Sequence, residues 1–133
     1  MIKRCIVILA LVLVLGIALP AVGAGATKLL ACVPLEVAIL EDHAYVLCAE
    51  PITAYRGGYP LDNGYAVSYF AVPLSDSNWS SRFIQVADIA MASGMPVIFS
   101  YTSGDYSGEL FGCDRTNCRE PWAFTLVKTS WTP

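Results

Sequence analysis

The sequence predicts a mainly β domain with a single helix, and three observations carry that prediction. Short runs of β-branched and aromatic residues recur between turns rich in glycine, proline, asparagine and aspartate. Only one stretch, 81–93, sets apolar residues three and four apart on one helical face. An apolar leader accounts for the high hydrophobic content, and behind it four cysteines remain to staple a small core.

The 133 residues fit one domain. Hydrophobic residues make up 56% of the chain and the mean hydropathy is +0.55, but the excess is concentrated at the start. Lys3 and Arg4 form a short basic head, residues 5–19 an unbroken apolar run, and Pro20 ends it. Val22-Gly23-Ala24 or Ala24-Gly25-Ala26 then offers the small residues that signal peptidase accepts. Residues 1–26 therefore read as a cleaved secretory signal and 27–133 as a single domain. An uncleaved anchor is the competing reading, with an apolar run shorter than the roughly 20 residues of a span. Leu30-Ala31-Cys32 has the look of a lipoprotein cleavage box, but Lys28 separates it from the apolar run.

Cleavage would leave 107 residues with six basic and eleven acidic side chains, a net charge of −5 against −3 for the whole chain. Its cations, Lys28, Arg56, Arg82, Arg115, Arg119 and Lys128, are scattered. Such a surface repels a phosphate backbone, which argues against nucleic acid as a partner, and no membrane contact is expected once the signal is gone. Cys5 leaves with the signal. The even number that stays, Cys32, Cys48, Cys113 and Cys118, suits an oxidising compartment, so the expected location is secreted or periplasmic. Four cysteines allow three connectivities; local spacing favours Cys113 with Cys118, and elimination then pairs Cys32 with Cys48 across a hairpin. A metal site competes weakly, because the pairs lack two-residue spacing and His43 is the only histidine. No metal or cofactor is expected.

The elements follow in order. Residues 35–40 form a first strand and 43–49 a second, joined by a Glu41-Asp42 turn. Residues 51–64, with Gly57-Gly58, Pro60 and Asp62-Asn63-Gly64, read as a loop. Residues 65–72 alternate as a third strand, with Tyr65, Val67, Tyr69 and Ala71 on one face. Ser80 or Ser81 caps a helix over 81–93 whose apolar face is Phe83, Val86, Ala87 and Ala90, and Gly94 closes it. Residues 95–102 make the fourth strand, 104–112 a turn-rich connection and 122–128 the fifth strand. Five strands with one helix between the third and fourth is the order of an OB-fold, a partly open five-stranded Greek-key barrel.

Catalytic chemistry has few candidates. A serine or cysteine nucleophile needs a base, and His43 is expected as a solvated imidazole in a turn beside Asp42. Glu41 with Asp42, or Asp105 with Glu109, are carboxylate pairs in turns, where acidic residues ordinarily meet water. The expectation is a protein that is not an enzyme. Tyr55, Arg56, Tyr59 and Tyr65, in and beside the long loop, are the candidate ligand contacts: tyrosine rings pack on apolar sugar faces while Arg56 reads a carboxylate. A cell-surface glycan or a protein partner would suit them.

Ser77-Asn78-Trp79-Ser80-Ser81-Arg82-Phe83, followed by Asp88, Ala90, Ser93-Gly94 and Pro96-Val97-Ile98, resembles the helix and fourth strand of the OB-fold B subunits of bacterial A-B toxins of the subtilase cytotoxin and typhoid toxin type. Tyr45-Val46-Leu47-Cys48 looks like their second strand, and Cys113 to Cys118 like their late disulfide loop. The same layout is similar to that of short exported bacterial proteins without an assigned activity. The resemblance implies a secreted lectin of five copies, with helices around a central channel and sialylated glycans on the outer barrel face. The chain departs from it in having no serine between Thr27 and Leu47, where the family grips its sugar, and no basic residue around Ile98. No sugar-binding residue carries over.

Overall fold

The computed structural model describes residues 25–49 and 61–128. The expected signal, apart from Gly25 and Ala26, and the loop residues Tyr55, Arg56 and Tyr59 lie outside the described residues.

Among the described residues the protein is mainly β with one α-helix, as the sequence predicts. Instead of five strands, nine strand segments lie in three sheets among the described residues, and they do not close into one barrel. The first strand among the described residues is β1 (Thr27–Cys32), which the sequence reading missed, and the chain continues after Val33 into β2 (Pro34–Ile39). Pro34 has no N–H to give a ladder, and the register slips between Pro34 and Glu36, so the chain bends there from one sheet to the next. β3 (His43–Cys48) pairs antiparallel with β2 on one side and with β6 (Tyr69–Pro73) on the other.

The predicted third strand is broken at Val67 and Ser68. Its first two residues, β5 (Tyr65–Ala66), pair with β4 (Leu61–Asp62) in a hairpin turned by Asn63 and Gly64, at φ +50° and +83°. Both turn residues are left-handed, the condition that favours Asn-Gly in two-residue hairpins. Ser68 then accepts the N–H of Cys48 and donates its own to Asn117 before β6 begins.

α1 (Ser77–Ser93) starts four residues earlier than expected. Its cap is Asp76, not Ser80 or Ser81: the Asp76 carboxylate accepts the N–H of Trp79 at 3.0 Å, and Gly94 at φ +70° ends the helix. Phe83, Ala87 and Ala90 are buried as predicted and Ser80 joins them, whereas Val86 is only partly covered. β7 (Val97–Thr102) runs antiparallel between β1 and β9 (Ala123–Leu126). A 3₁₀ turn, Ser107–Phe111, and β8 (Cys118–Arg119) lie between β7 and β9, with β8 parallel to β6.

The main core gathers inward residues of both larger sheets under α1. Phe70 stacks on Phe99 at 4.3 Å between centroids, Phe83 meets Phe99 and Phe124 at 5.8 and 5.7 Å, and Val46, Val72 and Val97 fill around them. Both expected disulfides are present. Cys32–Cys48 joins the ends of β1 and β3, and Cys113–Cys118 closes the loop ahead of β8. With its sulfur in that bridge and fully buried, Cys32 has no thiol to carry a lipid.

Candidate functional site

The site starts from the alternation of β3 and β6. In β3, Ala44, Val46 and Cys48 face the core, which sends His43, Tyr45 and Leu47 to the opposite face. Antiparallel register sets Tyr45 opposite Ala71 and Leu47 opposite Tyr69. Ala71 is nonetheless buried, because it packs with Cys113 and Cys118 in a second small cluster edged by Tyr45, Tyr69 and Phe111. The outer face of β3 and β6 is thus walled by the cystine loop, and a groove of about 290 Å³ opens between them. Leu40, His43, Tyr45, Tyr69, Asp114 and Asn117 give it its chemistry, over a floor of Ala71 and the disulfide.

Its aromatic side chains hold one another. Tyr45 and Tyr69 meet edge to face, 5.6 Å apart and 71° inclined. The Tyr45 hydroxyl donates to Glu36 at 2.5 Å, and that bond to a carboxylate raises the phenol above its ordinary pKa. His43 sits 6.3 Å from Tyr45 and 6.1 Å from Phe111. It opens β3 and is 8% exposed, which corrects the expectation of a solvated imidazole. Its Nδ1 lies 2.6 Å from Asp42 Oδ1, and since a carboxylate only accepts, the imidazole donates. Gly112 lets the cystine loop approach this ring: at φ +101° it is left-handed, and a Cβ there would stand 3.0 Å from His43 Cε1.

Asp114 and Asn117 complete the rim. Asp114 Oδ1 takes the N–H and the hydroxyl of Thr116, each at 2.8 Å, and those bonds hold its carboxyl below the usual range. The main chain of Asn117 accepts from Ser68 and Tyr69, each at 2.9 Å, tying loop to sheet, while its side-chain amide makes no hydrogen bond among the described residues. The arrangement can stack an apolar face against tyrosine and exchange hydrogen bonds with hydroxyls.

A wider and more open concavity of about 750 Å³ lies elsewhere, lined by Trp79, Trp122, Asp76, Asp105 and Glu120. Burial raises the Glu120 carboxyl, against a hydrogen bond from Ser107 that lowers it, and nearby Asp105 adds to the rise. The carboxylates weighed as a catalytic pair are engaged separately: Asp105 accepts the N–H of Ser107, and both oxygens of Glu109 take Arg115 at 2.6 and 2.9 Å. The hydrogen bonds from Arg115 hold Glu109 below its ordinary pKa. Among the described residues no cluster of three or more His, Cys, Asp or Glu side chains could hold a metal.

Of the predicted contacts only Tyr65 is described, and it does not line the groove. It is half-buried on the β4–β5 hairpin, edge-on to Tyr106 at 6.4 Å. The residues that do line the groove were missed. One signal was in the sequence: the alternation that put Tyr69 and Ala71 on one face also put a small residue where a cavity could open. Comparison of the chain with protein-family models, with curated proteins and with solved structures gives no match.

Proposed function

We propose that the protein is an exported, non-enzymatic binding module of OB-fold type that takes a glycan in the groove between Tyr45, Tyr69 and the cystine loop. The fold reading rests on the order of pairing. Taken as one strand bent at Val33, residues 27–39 pair with β3 in one sheet and β7 in the other. Taken likewise, residues 118–126 pair with β6 and with β7. Read so, the pairing order of the five long strands matches that of an OB-fold, with α1 between the third and fourth. OB-folds present ligands on the second and third strands and the loops beside them, which here are β3, β6 and the cystine loop. Two disulfides fit an oxidising compartment, and no helix among the described residues is long and apolar enough to cross a membrane.

The groove itself is the observation that carries the reading, because it combines aromatic walls, a small apolar floor and free hydrogen-bonding groups in one concavity. The test is retention on a panel of immobilised oligosaccharides under non-reducing conditions. The unmodified protein is expected to bind, and Tyr69→Ala to bind about tenfold more weakly through loss of one aromatic platform. Failure to retain any glycan sinks the reading.

One observation favours a protein-interaction domain as a second reading. Leu29, Val33, Leu35, Ile39 and Leu40 are 41–66% exposed on or directly beside β1 and β2, the edge strands of their sheets. Unpaired strand edges with apolar side chains invite another chain, including a second copy. Native mass distinguishes the cases: a ring or dimer supports use of this edge, and a monomer that cross-links to nothing contradicts it.

A further inference from the structure

We infer that the groove selects uncharged, hydroxyl-rich sugars and rejects sialylated ones, a conclusion that rests on the glycan-binding reading above. Among the described residues neither lysine nor arginine lines the groove, and the fixed charge there is the Asp114 carboxylate. The side-chain hydrogen-bond partners of Tyr45 and His43 are also acidic, Glu36 on the Tyr45 hydroxyl and Asp42 on His43 Nδ1. A sugar carboxylate entering this site would meet like charge and lose its water without an ion pair in return.

The described cations are committed or distant. Arg115 follows Asp114 in sequence, but both Glu109 oxygens hold it and its guanidinium lies 5.4 Å over the Tyr106 ring. Arg119 is buried against Asp62, and Lys28 donates to the Leu61 carbonyl beside the same aspartate. Arg82 is exposed on α1 and Lys128 follows β9.

A neutral sugar finds the opposite situation. Thr116 occupies Asp114 Oδ1, which leaves Oδ2 to accept a ligand hydroxyl, and a hydrogen bond to a carboxylate is among the stronger kinds. The unengaged amide of Asn117 can donate to a neighbouring oxygen, so two adjacent hydroxyls can be read together. Tyr45 and Tyr69 supply faces for the C–H side of the ring. The lining groups thus match a pattern of donors and acceptors that carries no charge.

The test pairs each neutral oligosaccharide with the same chain carrying terminal sialic acid, and measures binding to non-reduced protein. The expected result is binding of neutral chains and at least about tenfold weaker binding of their sialylated counterparts. Asn117→Ala removes a side chain that makes no hydrogen bond among the described residues and should weaken neutral-sugar binding about tenfold while leaving the unfolding midpoint unchanged. Asp114→Asn should weaken it similarly and narrow the gap between neutral and sialylated chains. Equal or tighter binding of the sialylated chains overturns the inference and leaves the glycan reading standing. Retention of neither overturns both. Neutral-sugar binding that Asn117→Ala and Asp114→Asn leave unaltered also overturns it, by placing the sugar elsewhere.

Discussion

Asp62 and Arg119 are both fully buried, 57 residues apart in sequence, and joined through Arg119 Nε to Asp62 Oδ2 at 2.7 Å. The carboxylate also accepts the Ser103 hydroxyl at 2.5 Å and the Gly104 N–H at 3.0 Å, with Lys28 Nζ 3.4 Å away. Burial alone would push this carboxyl up; the Ser103, Gly104 and Arg119 donors together outweigh it and hold it well below the usual range. Arg119 is satisfied on its other side by the carbonyls of Arg115 and Cys118, and it lies 4.8 Å from the Tyr106 ring centroid. Because each partner neutralises the other's burial, removing one is costlier than removing both. Asp62→Ala should destabilise by about 3–5 kcal/mol, and Asp62→Asn combined with Arg119→Met by clearly less, as read from urea unfolding. The pH dependence follows from the sign of the shift. A carboxyl depressed in the folded state stabilises fully above its unfolded pKa of about 3.9 and loses that contribution as pH falls toward its folded value. Stability of the native protein should therefore drop below about pH 4, and Asp62→Asn should flatten that part of the profile.

At the scale of elements, α1 and the two cystines set how the sheets meet. Asp76 satisfies an orphan N–H of the first helical turn, so Asp76→Ala should cost about 1 kcal/mol in chemical unfolding, with the core unchanged. Cys32–Cys48 closes a 16-residue separation and Cys113–Cys118 one of five. On the chain-entropy account, losing the first should cost about 3 kcal/mol and the second about 2. The functional cost should run the other way. Cys113→Ser with Cys118→Ser unpins a wall of the groove and should abolish glycan retention, while Cys32→Ser with Cys48→Ser should spare it in the folded fraction. The helix, its glycine stop and the Cys113–Cys118 bridge were legible because each is signalled by nearby residues: Gly94, the three- and four-residue spacing of Phe83, Ala87 and Ala90, and the short Cys113 to Cys118 loop; Cys32–Cys48 then followed by elimination. Strand limits were less so. Thr27–Cys32 borders the apolar leader, and its sequence alone does not reveal that Val97–Thr102 lies ready to pair with it. Tyr65–Ala66 continues the alternation of Tyr69–Pro73, yet the Asn63-Gly64 turn gives it a different partner.

For the whole molecule, two sheets and a helix enclose an aromatic core, and the outer face of β3 and β6 is left to the cystine loop. The candidate site was hidden from the sequence because it draws on segments up to 78 positions apart, from Leu40 to Cys118, which only the sheet pairing brings together. Residue type alone favoured the tyrosine-rich loop, and the one described member of that set, Tyr65, turns instead toward Tyr106. The central claim is that the groove is where a neutral glycan binds. A titration of isotope-labelled, non-reduced protein with a neutral oligosaccharide, followed by amide chemical shifts, tests it most directly. The account predicts saturable shifts confined to residues 43–45, 69–71 and 112–118. Shifts clustered instead around Trp79 and Trp122, or none at saturating sugar, would contradict it.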